Sequence, residues 1–242
     1  MPTPNPSPPR KYLAFDIETA KEIVGDFSLW RNHRPLGICC AATMLDGAEP
    51  KLWHSKTSSG TPAKQMTPED AKSLVDYLRE MTTQGYSVLT WNGASFDFDV
   101  LAEESRALDD CRACAHDHVD MMFHIVCQLG YPISLEKAAL GMGVPGKTAG
   151  VSGSQAPTLW AAGEFDKVLA YVAQDVRVAA DIAREAEKQK KFSWITQKGS
   201  KKSEPLAAGW RSVRDAMKLP LPDCSWMAKP IVREEWLAWM LK

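Results

Sequence analysis

Lys11-Tyr12-Leu13-Ala14-Phe15-Asp16-Ile17 reads as a buried strand, with Glu18 and Thr19 following at its end. Side chains two apart on a strand share a face. Phe15 and Ile17 therefore turn into an apolar layer, while Asp16 and Glu18 project together from the other side. Two carboxylates held this close repel and resist ionisation unless positive charge lies between them. A divalent cation supplies that charge. Taken alone, such an acid pair is more often a solvated strand end.

Working outward, residues 36–44 form a second apolar run and residues 51–54 a third strand. Thr67-Pro68-Glu69-Asp70 combines a capping hydroxyl, a first-turn proline and two acids, the marks of a helix start. That helix is expected to run to about Thr82, with Ala71, Leu74, Val75 and Leu78 on its apolar face. Residues 87–91 are another buried strand, and helices are expected over 96–108, 119–129 and 135–140. Residues 141–157, rich in glycine and polar residues, read as a loop, and 164–190 as a long helix. Beyond Lys191 the pattern weakens into extended pieces that end in a short helix over 233–240. Strands that come first and then alternate with helices specify an α/β domain with a mixed central sheet.

Two more pieces carry chemistry. Trp91–Asp99, WNGASFDFD, leaves a strand, turns at Asn92-Gly93 and opens a helix whose first turn holds Asp97. The helix macrodipole favours an anion there, although a helix-start acid can serve stability alone and Asn92 can be a turn residue alone. In YVAQD, Tyr171 and Asp175 are four apart and share a helix face with Val168 and Val172 nearby. An acid on a largely apolar face does not meet a core unpaired; the plainer reading is a rim aspartate bonded to the tyrosine.

The order and context of the three pieces resemble the DEDD superfamily of 3′→5′ exonucleases, in its tyrosine-containing branch, and in particular the exonuclease domains related to family-B DNA polymerases. The matching motifs are FDIET with Asp16 and Glu18, N-x-x-x-F-D with Asn92, Phe96 and Asp97, and Y-x-x-x-D with Tyr171 and Asp175. SLEKAALGMG followed by Lys147 resembles the helix and loop before the last motif. The resemblance spans roughly residues 11–190. It implies an RNase H-like fold, a mixed sheet of about five strands with flanking helices. It also implies that Asp16, Glu18, Asp97 and Asp175 hold two Mg²⁺ or Mn²⁺ ions, whose hardness suits carboxylate oxygens. Asp16 would bridge both ions, Glu18 and Asp175 would complete the site holding the nucleophilic water, and Asp97 would serve the second, partly through water. Tyr171 would orient that water rather than act as a strong base, since an unperturbed tyrosine titrates near about 10. Thr19, Asn92, Phe96 and Lys147 would touch the terminal nucleotide or its phosphate. The implied partner is nucleic acid with a single-stranded or frayed 3′ end, DNA favoured over RNA, released as nucleoside 5′-monophosphates.

Totals frame this reading. A length of 242 residues suits one domain with an appendage or two small domains, and the pattern along the chain favours the former: a leader over 1–10, a domain over 11–190 and a tryptophan-rich extension over 191–242 packing on it. Hydrophobic residues at 45% and charged residues at 24% are ordinary for a globular chain with a real core. The net charge of −1 neither supports nor excludes a nucleic-acid partner, because bound cations supply positive charge where the phosphate sits. The first ten residues hold five prolines and read as a disordered leader, not as a secretory signal, which needs about 7–15 apolar residues. No run approaches the roughly 20 apolar residues of a membrane span. The expectation is a cytoplasmic protein with no membrane partner and six reduced cysteines.

Other signals rank lower. Residues 141–148 match G-x-x-x-x-G-K-[ST], but that phosphate-binding loop needs a strand before it and a helix after it. Cys111, Cys114, His116 and His118 offer a local zinc set, against reduced loop thiols as the default. Residues 188–202 carry six lysines around Phe192 and Trp194, a pattern that can track a single strand, although a solvated helix end and linker is the commoner origin. Trp210, Trp226, Trp236 and Trp239 suggest that the extension packs onto the domain or a partner. Three rivals stand beside the exonuclease reading: an RNase H-like endonuclease, a noncatalytic end-binding module and a nucleotide hydrolase.

Overall fold

The structure, a computed structural model, describes residues 10–146 and 152–241. Strand β1 (Lys11–Thr19) pairs antiparallel with β2 (Ile38–Leu45), and β2 pairs antiparallel with β3 (Lys51–Trp53). After helix α1 (Pro68–Thr83), strand β4 (Tyr86–Thr90) returns along the other edge of β1, now parallel. Helices α2 (Asp97–Ser105) and α3 (Leu108–Asp117) lead to β5 (Val119–Asp120), which pairs parallel with β4. The result is a five-stranded mixed sheet in the order β3-β2-β1-β4-β5, the α/β arrangement expected from the sequence. Helices α4 (Met121–Leu129), α5 (Leu135–Met142), α6 (Ala156–Ala161) and α7 (Phe165–Gln189) follow.

Both faces of β1 are covered, and its alternation assigns each residue to a layer. Leu13, Phe15 and Ile17 join the core under α1 and α2, whereas Tyr12 and Ala14 join the core under α7. Asp16 and Glu18 continue the second set, so their carboxylates leave the sheet on the α7 side. β1 pairs with β4 only over Lys11–Ala14. Beyond that point the parallel strands part, at the place where neighbours lead off in opposite directions from β1, and a crevice opens at their carboxyl ends.

Several expected boundaries move. The helix expected over 96–108 is two helices: Arg106 takes a left-handed φ of 57°, and α3 restarts at Leu108. Residues 119 and 120 open the segment expected as one helix, yet they form β5, because Asp120 is extended and its side chain caps α4 by accepting from the Phe123 amide at 3.0 Å. The segment expected as a loop over 141–157 contains the end of α5, a 3-10 turn (Gly153–Gln155) and the start of α6. The phosphate-loop pattern therefore follows a helix rather than a strand, and Lys147 and Thr148 lie outside the described residues. So do residues 1–9 of the expected leader.

The region beyond α7 is more ordered than the sequence suggests. Residues 188–202 are not a solvated linker: Lys191–Ile195 (β6) and Lys201–Pro205 (β7) form an antiparallel hairpin. Two short helices follow, α8 (Val213–Ala216) and α9 (Arg233–Trp236), the second ending earlier than the expected residue 240. Trp210 and Trp239 are buried in the two cores, Trp236 is half-buried and Trp226 is exposed. Cys111 and Cys114 sit on helix α3, not in a loop. His118 has both ring nitrogens engaged, by Thr90 Oγ1 at 3.0 Å and the Ala115 carbonyl at 2.7 Å, and burial pushes its imidazole down to about 4. Neither nitrogen is left for zinc. Among the described residues no helix is long and apolar enough to cross a membrane.

Candidate active site

The crevice beyond β1 and β4 is a cleft of about 230 Å³ lined by Asp16, Glu18, Asp97, Tyr171 and Asp175, with Thr19, Asn92 and Phe96 around them. Two elements deliver the acids that approach most closely. β1 carries Asp16 and Glu18 on one face, and α7 carries Asp175 one turn after Tyr171. One carboxylate oxygen from each of Asp16, Glu18 and Asp175 lies within 4.8 Å of the other two. Opposite them on β2 stand Ala42, paired with Asp16, and Cys40, paired with Glu18; directly opposed residues share a face, so small side chains flank the acids. Three carboxylates at this spacing fit a shared hard cation, because oxygen ligands of magnesium or calcium sit about 2.0–2.6 Å from the ion. The donor set therefore fits the divalent metal that the motifs imply.

Asp97 lines the same cleft outside that close trio, with its side chain hydrogen-bonded to Asp16. The sheet explains its position. Past Ala14, β1 has no partner on its β4 side, and Asp97 Oδ1 accepts the Ile17 amide there at 3.2 Å. The side chain is 3% exposed, and burial pushes its carboxyl up to about 7. Asp99, two residues on, turns away from the cleft and pairs with Arg31 (Nε to Oδ2, 3.0 Å) and Arg34. In DFD the first acid thus faces the cleft and the second ties the helix to the segment Phe27–His33.

The loop from Trp91 to Phe96 is held by a residue that sequence reasoning passes over. Asp120 accepts from the Asn92 amide at 3.0 Å and the Ala94 amide at 2.9 Å, besides capping α4. It is 1% exposed, and burial pushes its carboxyl up to about 6. The available signal is an aspartate directly before an apolar helix. With its amide fixed, Asn92 adopts a left-handed φ of 80°, which asparagine tolerates, and its buried amide oxygen has no partner among the described residues. Phe96 packs against Phe27 and Trp30, with ring centroids 5.2 and 4.9 Å away. Thr19 Oγ1 donates to the Lys21 carbonyl at 3.0 Å. Gly153 is a second residue that the sequence does not single out: a Cβ there would sit 3.7 Å from the Tyr171 hydroxyl and 3.9 Å from Glu18 Oε2, so its turn borders the acids. Lys147 lies outside the described residues.

The extension reaches the same loop. Trp239 donates its indole N–H to the Ala94 carbonyl at 2.7 Å, and Arg112 donates to the Trp239 carbonyl. Trp239→Phe keeps an aromatic ring but removes the indole N–H that bonds that carbonyl. We expect a loss of about 1–3 kcal/mol, read by chemical denaturation, together with a fall in turnover as the Asn92–Phe96 loop loosens. Unchanged stability and turnover would remove Trp239 from this role.

The titration of Asp97 and Asp120 has a definite sign. Both Asp97 and Asp120 are raised above their unfolded values by burial, to about 7 and about 6. Their contribution to stability is thus complete below about pH 4 and lost as pH rises through 6 to 7. In EDTA the melting temperature should fall by about 5 °C or more between pH 5 and pH 8. Asp97→Asn should flatten that slope, and a divalent cation at pH 8 should recover much of the loss. A slope of the opposite sign would contradict this picture.

Comparisons with known proteins agree with the architecture. A family model of the RNase_H superfamily matches residues 53–186, a span that contains Asn92, Asp97, Tyr171 and Asp175 and begins after Asp16 and Glu18. Among solved structures, a family B DNA polymerase from the hyperthermophilic archaeon Pyrobaculum calidifontis matches with a TM-score of 0.55 and 18% identity over 74% of this chain. The match takes up 25% of the polymerase chain, so this protein corresponds to about a quarter of it. At that identity the likeness concerns the fold. No curated protein matches the sequence.

Proposed function

The chain belongs to the RNase_H superfamily, and from that premise we propose that it is a metal-dependent 3′→5′ exonuclease acting on single-stranded or frayed ends, DNA ahead of RNA. The observation that supports this best is the convergence of Asp16, Glu18 and Asp175 in a cleft bordered by Tyr171. The catalytic unit is residues 11–190, and the residues from 191 onward are an extension, packed on it over those described.

When bound, two Mg²⁺ or Mn²⁺ ions would supply positive charge for the attacking water and for the leaving oxygen. Asp16, Glu18 and Asp175 would hold them, with Asp97 contributing from beside Asp16. The remaining roles belong to side chains. Tyr171, beside Glu18 across the Gly153 turn, would orient the attacking water through its hydroxyl. The Asn92 amide oxygen, without a partner among the described residues, would accept from the sugar or base of the terminal nucleotide. Phe96, backed by Phe27 and Trp30, would offer that base an aromatic wall. Thr19 would approach the terminal nucleotide from the end of β1.

A closed circular single strand separates this reading from an endonuclease. We expect the circle to survive in Mn²⁺ under conditions that consume its linear form. Opening of the circle would favour the endonuclease, and binding of both without turnover would favour an end-binding module.

A further inference from the structure

We propose that the β6–β7 hairpin is a phosphate rail, gripping the backbone of a single-stranded polynucleotide outside the cleft; the identity of its partner rests on the nuclease reading. Residues 188–205 hold six lysines and one glutamate in a chain whose net charge is −1, so positive charge is concentrated on this element. Lys190, Lys191, Lys198, Lys201 and Lys202 are exposed, and among the described residues none of them is paired with a carboxylate. Lys188, at the end of α7, is paired with Glu185, as Lys72, Lys167 and Lys218 are with acids elsewhere; what sets the hairpin apart is the five lysines just named within 13 residues.

The rings in the same segment have a different task. Phe192 and Trp194 are 2% and 5% exposed, so neither can receive a base. Phe192 packs on Trp91, whose ring lines the cleft, with centroids 6.4 Å apart. Strand β6 crosses α5 closely: a Cβ on Gly141 would fall 2.2 Å from the Trp194 Cα, so only glycine fits there. The hairpin is thereby fixed to the wall of the cleft. Its turn, closed by the Thr196 amide on the Ser200 carbonyl at 2.8 Å, lies roughly 13 Å beyond Phe192 at the usual strand rise. Lys198 lies in that turn, and Lys201 and Lys202 hold the two rungs next to it, opposite Ile195 and Trp194. With the aromatics buried, the charged groups presented around the turn are ammonium groups, flanked by the polar side chains of Gln197, Ser200 and Ser203, and Glu204 lies farther back on β7; the chemistry is phosphate contact without base readout.

Charge neutralisation at the tip tests this. The full chain carrying Lys198→Gln, Lys201→Gln and Lys202→Gln would be compared with the wild type, with Lys201→Glu, Lys202→Glu as a second variant. Binding of an oligothymidylate of about 20 nucleotides, and of the matching oligouridylate, would be measured in EDTA across a salt series. We expect about tenfold weaker binding of the preferred strand near 0.1 M salt, and a salt slope shallower by about 2, three contacts at about 0.7 each. Hydrolysis of a dinucleotide in Mn²⁺ should be unchanged, since it does not reach the tip. Unaltered affinity and slope in both variants would overturn the rail. So would a wild type that binds neither strand at low salt. The binding arms need no turnover, so an inactive wild type with lysine-dependent binding would refute the exonuclease reading and leave the rail standing.

Discussion

Asp16→Ala combined with Glu18→Ala should lower phosphodiester hydrolysis at least about 10⁴-fold, or about 5.5 kcal/mol of transition-state stabilisation, while raising the melting temperature in EDTA. The two effects share one cause. Without a cation, Asp16, Glu18 and Asp175 hold three carboxylate oxygens within 4.8 Å of one another, at a cost to the fold. Removing two of the acids relieves that repulsion and also removes two of the four acids proposed to hold the ions. An increase of about 2–4 °C corresponds to roughly 1 kcal/mol for a chain of this size. The wild type, but not the variant, should gain stability from Mn²⁺. A variant that loses activity and also melts well below the wild type in EDTA would show that the acids brace the fold instead of straining it.

Asp120→Ala should be the most destabilising single substitution around the cleft, at about 3–5 kcal/mol and a melting temperature lower by about 10 °C or more. Its carboxylate accepts three amides, from Asn92, Ala94 and Phe123, and each donor left unpaired in a buried setting carries its own desolvation cost. Activity should fall with it, because Asn92 and Asp97 are on the segment those amides anchor. Asp120→Asn keeps one acceptor oxygen and should lie between. If Asp120→Ala were neutral in denaturant titrations, the loop would have to be held by other contacts, chief among them the Trp239 bond.

These residues also show where the sequence was legible. β1 could be read because its alternation is complete: every apolar residue from Leu13 to Ile17 is buried, and the acids fall in step with Tyr12 and Ala14. Tyr171 and Asp175 could be paired because a four-residue spacing on a helix leaves little choice. β5 could not be found, since two residues carry no period and its pairing with β4 is decided by the rest of the sheet. The break at Arg106 is a backbone event without a glycine or proline to announce it. Asp120 looks in sequence like an ordinary helix cap; that it also holds the loop of another strand is a tertiary fact. The lysines of residues 188–202 stand out in sequence, but the fate of Phe192 and Trp194 is set by α5 and Trp91, far away along the chain.

The cleft's proposed work is hydrolysis of nucleic acid from the 3′ end, with divalent cations held by its carboxylates. The most direct test places 5′-labelled single-stranded DNA and RNA with the purified chain in Mn²⁺, Mg²⁺ or EDTA, beside Asp175→Asn. The expected result is a ladder shortening from the 3′ end with release of nucleoside 5′-monophosphates, absent in EDTA and in the variant. Intact strands of both kinds in every metal, or fragments cut from the interior, would contradict it.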